Sequence, residues 1–319
     1  MGPSTGLAGW GRVNVADRGS DRRARIAAQR ASAQRTQTRN RILIAGGAII
    51  VVVGIVLGFV LAGGHSTTGG SGGSASSGGS ATPAGQALAN LVTTTTSVPI
   101  ATLDKIGGGT TTSPPKTISG AALTSGGKPE VLYIGAEYCP YCAAERWAMV
   151  VALSRFGTLS GLGLTHSAAA NGAGQAEPYP NTATWTFAHT TFASQFLTFT
   201  PVETYTNVPD PATGFYKPLQ TLTAEQKALL TKYDSANGGA IPFIDYGNKF
   251  LTVGASYDPG VLAGLTWNQI AADLHNSGSP VAAGVLGTAN YITAAICGIT
   301  NDQPASACTP AVKSLQAKI

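Results

Sequence analysis

Cys139 and Cys142 stand either side of Pro-Tyr in "YIGAEYCPYCAAER", residues 133–146. Three chemistries use two cysteines at that spacing. A dithiol can cycle between thiol and disulfide, two thiolates can supply half of a zinc site, and a closed pair can staple a loop. The neighbours discriminate among them. "EVLYIGA" (130–136) is a short apolar run rich in β-formers and reads as a buried strand. "PYCAAERWAMVVALSRF" (140–156) reads as a helix, with Pro140 in its first turn and Gly157 ending it. The cysteines therefore sit where a helix begins. Unpaired N–H groups and the positive end of the dipole favour thiolate there, drawing a thiol from about 8.5 into a range of roughly 3.5–7.5. Cys139 is then the exposed nucleophile, and Cys142, one turn in, the thiol that resolves mixed disulfides. Arg146 adds positive potential, while Glu137 and Glu145 oppose it.

A zinc site needs four ligands, and none of His166, His189 and His275 falls at ligand spacing. No metal is expected, and no cofactor beyond a redox-active disulfide. The chain carries no GxxxxGK[ST], HExxH or GxSxG pattern. The second cysteine pair, Cys297 and Cys308 in "CGITNDQPASAC", reads in an oxidising compartment as a structural disulfide closing a small loop. Such a closure contributes about 2–3 kcal/mol. Its other reading is a second redox pair relaying electrons to Cys142.

The remaining elements must hold the cysteines in place. "LGLTHSA" (162–168) reads as the next strand, and "SAAANGAGQAEPYPNTAT" as a loop. "TWTFAHTTFASQFLTFTPVETYTN" alternates and reads as two strands or a hairpin. "LTAEQKALLTKYD" and "LTWNQIAADLHN" are helices, opened by Thr223 with Gln226 and by Thr266 with Gln269 at capping-box spacing. "AIPFIDYGNKFLTVGA" (240–255) reads as a hairpin about Gly-Asn, and "SPVAAGVLGTANYITAAICGI" as a further helix. From local sequence alone, Pro242 is equally a trans proline at a strand edge.

Residues 42–62, "ILIAGGAIIVVVGIVLGFVLA", hold no charge. As a helix they span roughly 31 Å, the thickness of a hydrocarbon core. Nine of the chain's 20 basic residues are arginines within residues 1–41, against two acids there, and the first basic residue past the span is Lys105. That asymmetry places the N-terminus in the cytoplasm and the rest outside, on a single-pass signal anchor in the cell membrane. The net charge of +5 thus belongs to one tail. The folded part is near neutral, which argues against nucleic-acid binding. Residues 63–115 read as a Gly/Ser/Thr-rich tether, within which 86–107 supplies a short helix and strand that pack on the domain.

"EVLYIGAEYCPYCAAERWAMVVALSRFG", "TFTPVETYTN", "GGAIPFIDYGNKF" and "GTANYITAAICGIT" resemble the DUF929 family, an archaeal and actinobacterial group of thioredoxin-like proteins, over roughly 115–310. "CPYC" itself is the glutaredoxin active-site tetrapeptide. The resemblance implies an α/β, thioredoxin-like domain over 116–319, with a long insertion (about 169–238) and a C-terminal helical extension (256–319). It implies that Pro242 is cis beside the Cys-x-x-Cys and that Ile241 lines a peptide-binding groove, with Tyr138 and Tyr141 flanking the cysteines as substrate contacts. Trp-Cys is missing before the motif, where Glu137-Tyr138 stands instead. The expected function is thiol–disulfide exchange on protein thiols or disulfides, as oxidase or isomerase, reset by a membrane redox partner. The alternative is a non-catalytic binding module at the cell surface, with both cysteine pairs as fixed disulfides.

Overall fold

The computed structural model describes residues 85–319. The basic tail, the 42–62 span and most of the tether lie outside the described residues. Of the short helix and strand expected within 86–107, the helix forms as α1 (Gln86–Thr96), and a second helix, α2 (Ile100–Ile106), stands where the strand was expected. Leu88, Leu91, Val92 and Thr95 recur at helical spacing, and Leu91, Thr95 and Leu103 are buried against the domain. Each leucine so placed contributes roughly 1.5–3 kcal/mol. Asn290 holds the end of α2, its Nδ2 donating to the carbonyls of Leu103 (2.7 Å) and Gly107 (2.8 Å).

Next come β1 (Lys116–Thr117), β2 (Thr124–Ser125), β3 (Lys128–Gly135), α3 (Pro140–Leu153), β4 (Thr158–Ser160), β5 (Gly163–His166), β6 (Ala183–Thr186) and β7 (Thr191–Ala193). They are followed by β8 (Thr198–Glu203), β9 (Tyr205–Asp210), β10 (Phe215–Pro218), α4 (Ala224–Asp234), β11 (Phe243–Tyr246) and β12 (Phe250–Val253). The chain closes with α5 (Trp267–Asp273), α6 (Pro280–Ile299) and α7 (Pro310–Gln316). Both expected capping boxes form, at Thr223 with Gln226 and at Thr266 with Gln269.

One mixed sheet organises the domain, in the order β1-β12-β11-β3 with β8 along the far edge of β3. β3 and β8 are parallel, from Glu130↔Thr198 to Gly135↔Glu203. β11 runs antiparallel to β3, pairing Phe243 with Ile134 and Tyr246 with Val131. The expected hairpin over 240–255 is β11–β12, turning on Gly247 and Asn248, both at positive φ.

Strand periodicity gives the sheet two apolar faces. Val131, Tyr133, Ile244 and Tyr246 face the larger core, built with α3, α6 and the N-terminal helices. Leu132, Ile134 and Phe243 face the other way, against Leu229, Leu230 and Tyr233 of α4. Helix α6 is long and apolar enough to cross a membrane by length and composition, yet most of it is buried inside this core.

One strand expectation needs correcting. The segment 162–168 forms β5 as expected; β5 pairs with β6 in a ribbon of its own, and the strand beside β3 is β8. The stretch 184–207, expected as two strands or a hairpin, instead runs through β6, β7, β8 and the start of β9, which pair with β5, β4, β3 and β10 respectively. Alternation identifies a strand and its faces but carries nothing about its partner.

Glu145 on α3 is fully buried among these elements. Its carboxylate accepts from the Ser256 N–H (3.0 Å) and the Ser256 hydroxyl (2.9 Å). Burial pushes its pKa up to about 7, and the two hydrogen bonds offset this only in part. The unfolded value is about 4.3. Between those values the native state holds a proton that the unfolded chain has released, so stability falls as pH rises from about 4.3 to about 7. The loss is on the order of 3 kcal/mol by its upper end. Urea titrations of the wild type across that window should show the decline, and Glu145→Gln should flatten it. An unchanged slope in the variant would assign the pH dependence elsewhere.

Candidate functional site

Cys139 caps α3, and Pro140 follows in the first turn, where its missing N–H costs nothing. The Cys142 N–H donates to Cys139 Sγ at 3.3 Å, so the first sulfur takes the place of a capping oxygen. The Cys139 thiol in turn faces the Ile241 carbonyl at 3.7 Å. Both cysteines are free thiols. Burial works to raise the Cys139 pKa, but the hydrogen bonds from Cys142 and the nearby Arg146 charge prevail and hold it below the ordinary thiol value. Cys142 goes the opposite way: burial raises it well above that value, and the Cys139 sulfur beside it adds to the effect. Opposed shifts in a contacting pair separate an attacking sulfur from one that keeps its proton until later.

The exposure expected for Cys139 is corrected: it is 4% exposed, and Cys142 is fully buried. The loop carrying Ile241 meets the sulfur from one side. From another, the β9–β10 ribbon lays Tyr216 flat on Tyr138, with ring centroids 4.1 Å apart. Tyr216 is anchored by its hydroxyl, which donates to Glu177 Oε1 at 2.6 Å.

Beneath the cysteines lies an ion pair that the sequence did not reveal. Arg146, one helical turn past Cys142, bonds Glu203 at the end of β8 in a fork: Nε to Oε1 at 2.9 Å and Nη2 to Oε2 at 3.0 Å. Nε also donates to the Tyr133 hydroxyl (3.1 Å) and Nη2 to the Ala136 carbonyl (2.6 Å). Both side chains are 0% exposed. Nη1 has no partner among the described residues. Glu145, next in sequence to Arg146, points away to Ser256, because consecutive helical residues lie about 100° apart. It therefore does not oppose Arg146 at the cysteines. Glu137 accepts from the Thr186 hydroxyl at 2.6 Å.

The expected substrate contacts divide. Tyr138, the residue before Cys139, and Ile241, whose carbonyl faces the Cys139 thiol, both line a cleft of about 360 Å³, which Cys139 itself does not line. Tyr141 is not part of it; that ring is 39% exposed and lies edge-on to Tyr179. Pro242 follows Ile241 through a cis bond, as the resemblance implies, and its carbonyl accepts from the Gly254 N–H at 2.8 Å. A larger cleft, about 440 Å³, opens at the opposite end of the sheet around the β11–β12 turn. Among the described residues no cysteine, histidine or acid lines either cleft, and the smaller one is set apart by Tyr138 and Ile241, the chain and contact neighbours of Cys139.

Cys297 and Cys308 form a disulfide, with Cα atoms 5.8 Å apart. Arg155, past the C-terminal end of α3, donates to the Ala307 carbonyl next to Cys308. The disulfide thus lies beyond the C-terminal end of α3, a helix about 20 Å long at 1.5 Å per residue, away from the end that carries Cys139. Among the described residues, no group of three potential ligands forms around Cys139 and Cys142. His166 packs on Trp267 and His275 pairs with the Thr94 carbonyl.

Removing one member of a buried ion pair leaves an uncompensated charge or an empty polar socket. Arg146→Met should cost about 3–5 kcal/mol. It should also move the Cys139 thiolate transition, followed by ultraviolet absorbance, to higher pH. The double variant Arg146→Met, Glu203→Leu should regain much of the stability but not the thiolate transition. If the single variant leaves that transition in place, Arg146 does not tune the thiol.

No curated protein and no solved structure matches this chain. A family model does, described as a domain of unknown function, DUF929, over residues 115–298, more than half of the sequence. The chain belongs to the DUF929 family.

Proposed function

We propose that this chain is a thioredoxin-like thiol–disulfide oxidoreductase, tethered to the cell membrane through residues 42–62 and acting on protein thiols or disulfides outside the cytoplasm. The observation that carries the reading is the 3.3 Å contact between the Cys142 N–H and Cys139 Sγ at a helix start, with the two thiols shifted in opposite directions. The sheet supports it: a parallel pair, β3 and β8, joined through the helix that bears the cysteines, flanked by an antiparallel hairpin whose leading Ile241-Pro242 reaches Cys139. The Cys297–Cys308 disulfide supports an oxidising compartment. The arginine-rich segment before the 42–62 span supports the orientation.

In the reducing direction, the Cys139 thiolate attacks one sulfur of a substrate disulfide, forming a mixed disulfide and releasing one substrate thiolate. Cys142 then loses its proton and attacks Cys139 Sγ. The second substrate thiol leaves, and a Cys139–Cys142 disulfide remains; two electrons have passed to the substrate. The oxidising direction is the same sequence reversed, and an oxidising exterior favours it, with a membrane partner that takes the electrons from the reduced pair.

The burial of Cys139 favours the rival reading, a binding module with Cys139–Cys142 as a fixed disulfide, whereas the free state of both thiols does not. Full-length protein equilibrated in glutathione buffers, quenched with acid and alkylated after denaturation, separates the two. The expected result is a reversible midpoint for Cys139–Cys142 while Cys297–Cys308 stays oxidised, and Cys142→Ser should accumulate a mixed disulfide at Cys139. Should both pairs stay in one state across all buffers until the protein unfolds, the exchange reading is sunk.

A further inference from the structure

The cleft beside Cys139 has walls of uneven chemistry, and they describe what fills it. Tyr205 and Phe215 of the β9–β10 ribbon meet edge-to-face at 5.1 Å and form one side. Leu230 of α4 and Ile241 form the other. Phe215, which lines the cleft, is 39% exposed, so apolar surface is left open where the cleft meets solvent. Lys227, one turn before Leu230, is the only charged residue lining the cleft among the described residues. It is exposed and has no ion-pair partner among the described residues. Among the described residues the Ile241 N–H has no hydrogen-bond acceptor, while its carbonyl faces the Cys139 thiol. A free main-chain donor suits an extended peptide, apolar walls suit a large side chain, and an unpaired ammonium suits a carboxylate.

We propose that the cleft selects substrate by sequence: an extended segment of a partner protein, with an aromatic or large aliphatic residue next to its reacting cysteine and an acidic residue a few positions away for Lys227. The proposal rests on the thiol–disulfide reading and adds the substrate's chemistry to it. The apolar residue seats between Phe215, Tyr205 and Leu230, bringing the substrate sulfur to Cys139, which is otherwise covered. Residues 63–84 of this chain, nearly all Gly, Ser, Thr and Ala, supply no such segment.

The test uses the full-length, reduced protein and short peptides whose single cysteine is a mixed disulfide with nitrothiobenzoate. Cys139 attacks the peptide sulfur and nitrothiobenzoate leaves as the coloured thiolate; Cys142 then displaces the peptide thiol, so the protein pair is oxidised by two electrons and the probe becomes two thiols. Phe beside the cysteine should outpace Ala by at least about tenfold, and a Glu farther along should outpace Lys. Lys227→Glu should reverse the charge preference and Phe215→Ala should flatten the Phe preference. Both positions are on the surface, and circular dichroism checks that the variants fold. Hydroxyethyl disulfide, small and uncharged, reports bare thiol reactivity. If it reacts while all peptides fall within about twofold of one another, the cleft proposal fails and the exchange reading stands. If neither probe class reacts, both fall. Equal peptide rates together with a dimer that Phe215→Ala dissociates would give the cleft to a second copy and overturn the proposal.

Discussion

The fork between Arg146 and Glu203 ties together three elements on which the cysteines depend. Arg146 belongs to the helix that Cys139 caps, Glu203 ends the strand parallel to β3, and the Ala136 carbonyl, held by the same guanidinium, lies in the turn joining β3 to α3. A charge at that depth is tolerable only with a near-ideal partner, so the pair fixes the separation of α3 from β8 closely. The same guanidinium places positive potential under both sulfurs. One interaction therefore sets both the position of the dithiol and part of its acidity.

Around that point the domain divides its labour along the length of α3. The N-terminal end of the helix carries the thiols, a sulfur cap and an aromatic stack. Beyond its C-terminal end lie Arg155, the Cys297–Cys308 disulfide and the close of α6, a region of packing and covalent closure. Glu145 lies between them, a buried acid held by the Ser256 N–H and hydroxyl. Its burden is carried by the large core that α6 completes, since an isolated carboxylate in so apolar a place lowers stability whenever it ionises.

The two ribbons before β8 and the one after it distinguish this domain from a bare sheet-and-helix core. β9–β10 has a direct bearing on chemistry, because it brings Tyr205, Phe215 and Tyr216 to the mouth of the site. Cys139 is covered yet held acidic: the thiol is buried with the Ile241 carbonyl against it, while hydrogen bonds from Cys142 and the Arg146 charge draw its pKa down. In the proposed reaction, access then depends on what a partner inserts beside the ribbon more than on the intrinsic reactivity of the sulfur.

Much of the site was legible in the chain itself. Cys139 and Cys142 between a β-forming run and an uninterrupted helical run declare a helix-start dithiol, because the strand, Pro140 and the helix formers all act over a few residues. Both capping boxes and the 240–255 hairpin were readable for the same reason. Glu203 carried no local signal beyond being an acid inside a β-forming stretch, and the importance of Arg146 lay in a partner 57 residues away. The partner of β5, the burial of Cys139 and the cleft walls were equally silent in sequence. By itself the sequence determined the local elements and the chemical capacity of the two thiols, since propensity, capping and the helix dipole are short-range. The tertiary structure alone decided which strands pair, which sulfur is covered and what surrounds it, because those depend on contacts between residues that the chain order does not bring together.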